Sequence, residues 1–66
     1  MEYIIALAHG NNRKVISRHE DLKSAKAAGR RFWERYTGKG SVSCIKANTG
    51  DDGEIHGQYL LYEIWT

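Results

Sequence analysis

The sequence contains little cysteine and no long apolar stretch, and both features limit what the protein can be. Cys44 is the only cysteine, so no disulfide can form within the chain. The longest apolar run, residues 3–8, is far shorter than the roughly 20 residues that a membrane-spanning helix needs. No cationic and apolar leader precedes the first predicted strand. These features predict a cytoplasmic protein with no membrane association.

Residues that could bind a metal are few and scattered. The soft ligands are His9, His19, His56 and Cys44, and none lies within five residues of another. Structural zinc sites use closely spaced pairs of such ligands. The acidic turn at residues 51–54 lacks the alternating oxygen ligands over about twelve positions that define an EF-hand loop. We therefore expect no metal and no cofactor.

Two patterns hint at enzymatic chemistry, and both are weak. Residues 38–41, Gly-Lys-Gly-Ser, resemble the end of a phosphate-binding loop, but such a loop precedes a helix, whereas here a helix is predicted before it. His9 and His56 could cleave RNA by general acid–base catalysis if the first and last strands were antiparallel neighbours. No nucleophile, base and orienting group occur together. We expect that the protein is not an enzyme.

The predicted secondary structure has the order ββαββ. Strands are predicted at residues 3–9, 14–18, 41–49 and 54–65, and turns rich in glycine, asparagine and aspartate join each pair. A helix over about residues 20–37 is the clearest element. Small or apolar residues recur along it every three or four positions, namely Leu22, Ala25, Gly29, Phe32 and Tyr36. Gly29 costs about 1 kcal/mol relative to alanine there, so we expect close approach of the helix to the sheet.

These elements predict a single small α+β domain over residues 1–66, with one antiparallel four-stranded sheet and a single helix packed across one face. The last strand is the longest and most apolar, so we expect it to lie centrally, beside the first. We call the sheet face opposite the helix the open face. Glu63 is charged, and its parity predicts that its neighbours on the open face are Tyr59, Leu61 and Trp65, with Ile5 and Leu7. The helix would then cover Leu60, Tyr62 and Ile64.

Charge is unevenly placed along the chain although the net charge is only +2. Residues 13–39 carry a net charge of +6 and the remainder carries −4. The basic side chains on the first hairpin and the helix are Arg13, Lys14, Arg18, Lys23, Lys26, Arg30, Arg31 and Arg35. Clusters of this kind bind phosphate backbones with an affinity that falls with salt. Solvated helix surfaces carry the same residues.

Two classes of function fit the sequence. The first is a non-catalytic interaction module that binds itself or another protein through the open face, with Tyr59, Leu61 and Trp65 as anchors. A homodimer is its simplest form, because two-fold pairs are the commonest assemblies. The alternative is a nucleic-acid-binding accessory domain that uses the basic residues of the helix and the first hairpin.

Overall fold

The computed structural model describes residues 2–66 and shows the predicted order of elements. They are β1 (Glu2–His9), β2 (Asn12–His19), α1 (Leu22–Arg35), β3 (Ser41–Thr49) and β4 (Ile55–Trp65). The four strands form one antiparallel sheet, and α1 packs against one face of it. The ββαββ α+β fold is thereby confirmed. Within residues 2–66, no helix has the length and apolar character that crossing a membrane requires.

The strand order is β2-β1-β3-β4, which places the longest strand at an edge of the sheet. The prediction that the last strand lies centrally beside the first is wrong. The central strands β1 and β3 instead carry the buried side chains, which include Ile4, Ile5, Val42 and Ile45. Much of the apolar character of β4 therefore does not reflect burial within this chain, because five of its large apolar side chains are exposed.

Helix α1 begins and ends where its capping groups place it. The Asp21 side chain accepts a hydrogen bond from the Ser24 amide at 2.9 Å, so the helix starts at Leu22. Such a cap satisfies one of the amides that the first turn leaves without a partner. At the other end Tyr36 has an extended backbone and ends the helix after Arg35. The sequence pattern had extended the helix two residues too far at each end.

Two apolar clusters hold the sheet, one on each face. Beneath the helix, Ile5, Ala25, Val42 and Cys44 form the main core. Partly buried side chains packed against it include Leu7, Phe32 and Trp65. On the open face a smaller cluster consists of Ile4, Ile45 and Ala47, with Val15 and Ile55 packed beside it. Ile5, Leu7 and Trp65 therefore lie on the helix side, and the prediction that they share the open face is wrong.

Gly29 allows the helix to approach the sheet closely, as the sequence predicted. It is buried, and a Cβ atom there would lie 2.7 Å from two ring carbons of Trp65. The same Cβ would lie 2.9 Å from Cδ1 of Ile5. Real Cβ atoms are essentially never found at such distances, so a side chain at this position must displace Trp65 and Ile5 or move α1 away from the sheet.

The sheet curls so that its two edges approach each other across the open face. Near Gly57 the pairing of β4 with β3 shifts, from Lys46 opposite Leu60 to Asn48 opposite His56. Gly57 has a φ of 75°, a conformation that glycine adopts readily and other residues seldom do. This bend brings Ile55 onto the open-face cluster.

Candidate interaction surface

The edge strand β4 carries a continuous set of exposed apolar side chains. Those between 40% and 61% exposed are Tyr59, Leu60, Leu61, Tyr62 and Ile64. We call these five residues the β4 ridge. An edge strand also presents backbone N–H and C=O groups that no neighbouring strand pairs, which makes a long apolar edge a template for another strand. The ridge contains no charged residue, and Glu63 is the only one within its span.

A β-bulge within β4 determines which residues of the strand face the helix. Cys44 pairs with Glu63 and Ile45 pairs with Leu61, so Tyr62 is left without a partner. The extra residue reverses the alternation of side chains along the rest of the strand. Beyond it Trp65 pairs with Val42, a core residue beneath the helix. The predicted outward position of Trp65 is therefore wrong, whereas Tyr59 and Leu61 remain exposed.

The Glu63 side chain lies on the helix side of β4, although its charge led us to expect it on the open face. The charge of Glu63 was expected to point away from the helix, but its carboxylate lies 3.8 Å from the Lys26 ammonium group on α1. The helix thus supplies a partner for the charge that the strand carries inward. Both side chains are about 40% exposed, so the ion pair contributes little to stability. The contact does show that the Glu63 side chain lies on the helix side of β4.

The ridge has side chains on both faces of the sheet. Leu60 lies opposite Lys46, whose ammonium group sits 5.3 Å from the ring centroid of Tyr3 on the helix side. Tyr62 meets the same Tyr3 ring edge-on at 5.7 Å between centroids. Leu60 and Tyr62 are therefore on the helix side, as predicted, but they stay exposed because α1 packs mainly over the other three strands.

On the open face Tyr59 reaches the opposite edge of the sheet. Its hydroxyl accepts a hydrogen bond from the Arg13 guanidinium at 3.2 Å. The guanidinium carbon also lies 4.9 Å from the centroid of the Tyr59 ring, within the range of a cation–π contact. Leu61 pairs with Ile45 and Ile64 pairs with Ser43 on this same face. Ile64 is thus outside the helix-side core in which the sequence analysis placed it.

The second edge of the sheet, β2, is protected by charge. Asp52 and Glu54 of the β3–β4 turn line one groove together with Arg13, Lys14 and Arg18 of β2. Arg18 also lies 4.0 Å from the Glu2 carboxylate. Charged side chains on an edge strand oppose the addition of another strand. The two edges therefore differ, and only β4 combines length with an apolar surface.

The eight predicted phosphate-binding residues do not form one surface. Arg13 contacts Tyr59 and Arg18 contacts Glu2 on the open face, where the acidic turn also lies. On the helix, Lys26 pairs with Glu63 and Arg30 pairs with Glu34 at 3.2 Å. The exposed lysines and arginines with no ion pair among residues 2–66 are Arg13, Lys14, Lys23, Arg31, Arg35 and Lys39.

The histidines considered for catalysis do not lie on neighbouring strands. His9 pairs with Asn12 in β2, whereas His56 pairs with Asn48 in β3 and its ring lies 3.1 Å from Asp52. The condition for the two rings to meet, adjacency of β1 and β4, is absent from the sheet order. Within residues 2–66 no three metal-binding side chains form a cluster.

Among residues 2–66, three groups have displaced pKa values, and each has a local cause. The hydrogen bond from the Ser24 amide lowers the pKa of Asp21, and the amide of Glu54, followed by the His56 ring, lowers that of Asp52. Burial raises the pKa of the Cys44 thiol, which keeps it in the less reactive protonated form.

No protein-family model, curated protein or solved structure matches this chain.

Proposed function

We propose that the protein is a non-catalytic interaction module that binds a second copy of itself through the edge strand β4. The observation that carries the proposal is the β4 ridge, five large apolar side chains exposed on an unpaired edge and interrupted only by Glu63. Surfaces of this kind on small domains mark sites of association. We further propose that the protein acts in the cytoplasm, because its one cysteine is a buried thiol.

A two-fold axis through the ridge would pair apolar side chains of one copy with apolar side chains of the other. The pairing of β4 with β3 is irregular near Gly57 and at Tyr62, and between these points Leu61 pairs with Ile45 and Leu60 pairs with Lys46. We place the axis at Leu60. Antiparallel addition about that residue sets Leu60 against its own copy and Tyr59 against Leu61 of the partner subunit. Cross-strand apolar and aromatic pairs of this type stabilise sheets, and the result is one continuous eight-stranded sheet.

The absence of charge in the ridge also favours association with a second copy. Like charges directly opposite each other destabilise a strand pair, and residues 58–62 carry no charge at all. The small core gives a further reason to associate. A chain of this length buries only roughly 60% of its unfolded surface, so many small domains gain stability from a partner.

Leu60→Lys tests the proposal directly. Leu60 is 61% exposed, so a lysine there leaves the fold intact while placing two like charges together at the two-fold axis. Multi-angle light scattering should show a mass that rises toward the dimer with concentration for the native protein and stays monomeric for the variant. Ala27→Lys is the matched control, because Ala27 is exposed on the helix and the charge change is identical. A native protein that stays monomeric at all concentrations contradicts the proposal.

A further inference from the structure

A groove at the end of helix α1 combines aromatic rings with unpaired cations. It has a volume of about 360 Å³ and is lined by Arg31, Phe32, Arg35, Tyr36, Thr37 and Gly38. This volume lies within the roughly 300–1,000 Å³ typical of sites for small ligands. The groove belongs to the helix side of the molecule and is separate from the β4 ridge.

The aromatic wall of the groove is held in place by its neighbours. The Phe32 and Tyr36 rings stack with centroids 5.5 Å apart and an angle of 21° between their planes. The Tyr36 hydroxyl donates a hydrogen bond to the Lys39 carbonyl. Gly38 leaves room for this arrangement, since a Cβ there would lie 2.6 Å from the Tyr36 hydroxyl oxygen. The two rings therefore form a preorganised platform.

Every charged side chain that lines the groove is cationic. Arg31 and Arg35 follow each other by one helical turn, and neither makes an ion pair among residues 2–66. Glu34, the nearest acid along the helix, is paired with Arg30. The end of a helix carries about half a negative charge, which disfavours anions, but the two arginines exceed it. The acidic turn lies across the sheet, against β2.

We propose that this groove binds single-stranded nucleic acid, with an unstacked base against the Tyr36 and Phe32 platform and the adjoining phosphates at Arg31 and Arg35. Aromatic stacking beside cations is how proteins hold single strands without reading their sequence. A duplex keeps its bases stacked inside and offers nothing to the platform. This site uses only two of the eight basic residues that the sequence suggested, and it does not depend on self-association through β4.

The proposal is tested by fluorescence anisotropy with a labelled oligothymidylate. Its length should be about 12 nucleotides, within the site sizes of small single-strand-binding domains. Arg31→Gln/Arg35→Gln should weaken binding about tenfold. The plot of log affinity against log salt should also become less steep by about 1.4, the value for two lost phosphate contacts. Lys14→Gln/Lys23→Gln removes the same charge from exposed positions outside the groove and should leave the slope nearly unchanged. Tyr36→Leu should weaken binding about fivefold or more.

Several outcomes would overturn the proposal. One is the absence of binding at low salt, and another is an equal loss of affinity in the two charge-matched double variants. A third is competition by polyglutamate as strong as that by unlabelled oligonucleotide, which would identify a site for acidic protein segments. Both arginines are exposed, so the double variant retains the fold and decides the matter even if Tyr36→Leu unfolds.

Discussion

At the scale of single residues, Gly29 and Trp65 together determine how closely the helix can lie on the sheet. The indole ring occupies the space that a side chain at position 29 would need, at 2.7 Å from the position of a Cβ. The glycine is unfavourable for the helix by itself, but the large ring that it admits buries more apolar surface than an alanine methyl group would. At this position, packing of the Trp65 ring against the helix therefore outweighs the low helix propensity of glycine.

Gly29→Ala should destabilise the protein, because overpacking of the contact with Trp65 and Ile5 costs about 1–3 kcal/mol and exceeds the roughly 1 kcal/mol by which alanine favours the helix. Urea denaturation followed by circular dichroism measures the change. The double variant Gly29→Ala/Trp65→Phe provides the control, since a smaller ring leaves room for the methyl group. We expect it to be more stable than the two single effects added together predict. Strict additivity would show that the two residues are not in contact.

Two carboxylates, Asp21 and Asp52, should make the stability of the protein depend on pH in the acidic range. Hydrogen bonds from backbone amides lower the pKa of each below the ordinary value of 3.8. A group whose pKa is lower in the folded state stabilises the protein above its unfolded pKa, and the contribution is lost as pH falls through the folded pKa. The melting temperature should therefore fall as the pH drops below about 4. Asp21→Asn/Asp52→Asn should show a shallower fall, and an unchanged profile would contradict the assignment.

At the scale of elements, the bulge at Tyr62 determines which of two adjacent residues of β4, Ile64 or Trp65, packs beneath the helix. Trp65 packs beneath the helix, whereas Ile64 is 49% exposed on the other face. Trp65→Ala should destabilise the monomer by about 3 kcal/mol, near the lower end for loss of a large aromatic side chain. Ile64→Ala should cost about 0.5 kcal/mol or less in the monomer and weaken association instead. Thermal melts of both variants at low concentration separate these roles, and the reverse order, with Ile64→Ala more destabilising than Trp65→Ala, would argue against the bulge.

The same strand shows how far the sequence predicts this fold. The helix, the two hairpins and the buried Gly29 follow from local signals, namely apolar periodicity, turn residues and a glycine within the helix stripe. The position of β4 does not follow, because apolar character was equated with central burial. The direction of Trp65 was missed for a second reason. A bulge is an irregularity of pairing between strands, and the alternation of residues within one strand carries no signal for it.

The candidate surfaces were predictable only in part. Tyr59 and Leu61 were identified as exposed because they are large apolar residues on a strand that one helix cannot cover. The remaining ridge residues, Leu60, Tyr62 and Ile64, were assigned to the core. Sequence alone does not show that α1 packs mainly over the other three strands, which leaves Leu60 and Tyr62 exposed, or that the bulge turns Ile64 to the open face. Among the cations, the pairing of Lys26 with Glu63 depends on a contact between distant segments.

At the scale of the whole molecule, the folded chain brings its opposite charges together. The acidic β3–β4 turn lies over the basic strand β2, so Asp52 and Glu54 share a groove with Arg13 and Arg18. The dipole along the sequence is therefore partly neutralised in space. What remains outward is the exposed cations of the helix on one side and the uncharged β4 ridge at the edge. We propose a different partner for each of these two surfaces.

Amide hydrogen exchange at two protein concentrations tests the role of the β4 edge most directly, because pairing with a second strand protects backbone amides that otherwise face solvent. In a concentrated sample the outward amides of residues 58–62 should exchange at least about tenfold more slowly than in a dilute one, a ratio that corresponds to roughly 1.4 kcal/mol of association. The outward amides of β2, the charged edge, serve as the internal control and should exchange at the same rate in both samples. Equal exchange of the β4 amides at the two concentrations, or protection that appears on β2 instead, would contradict the proposal that β4 is the binding edge.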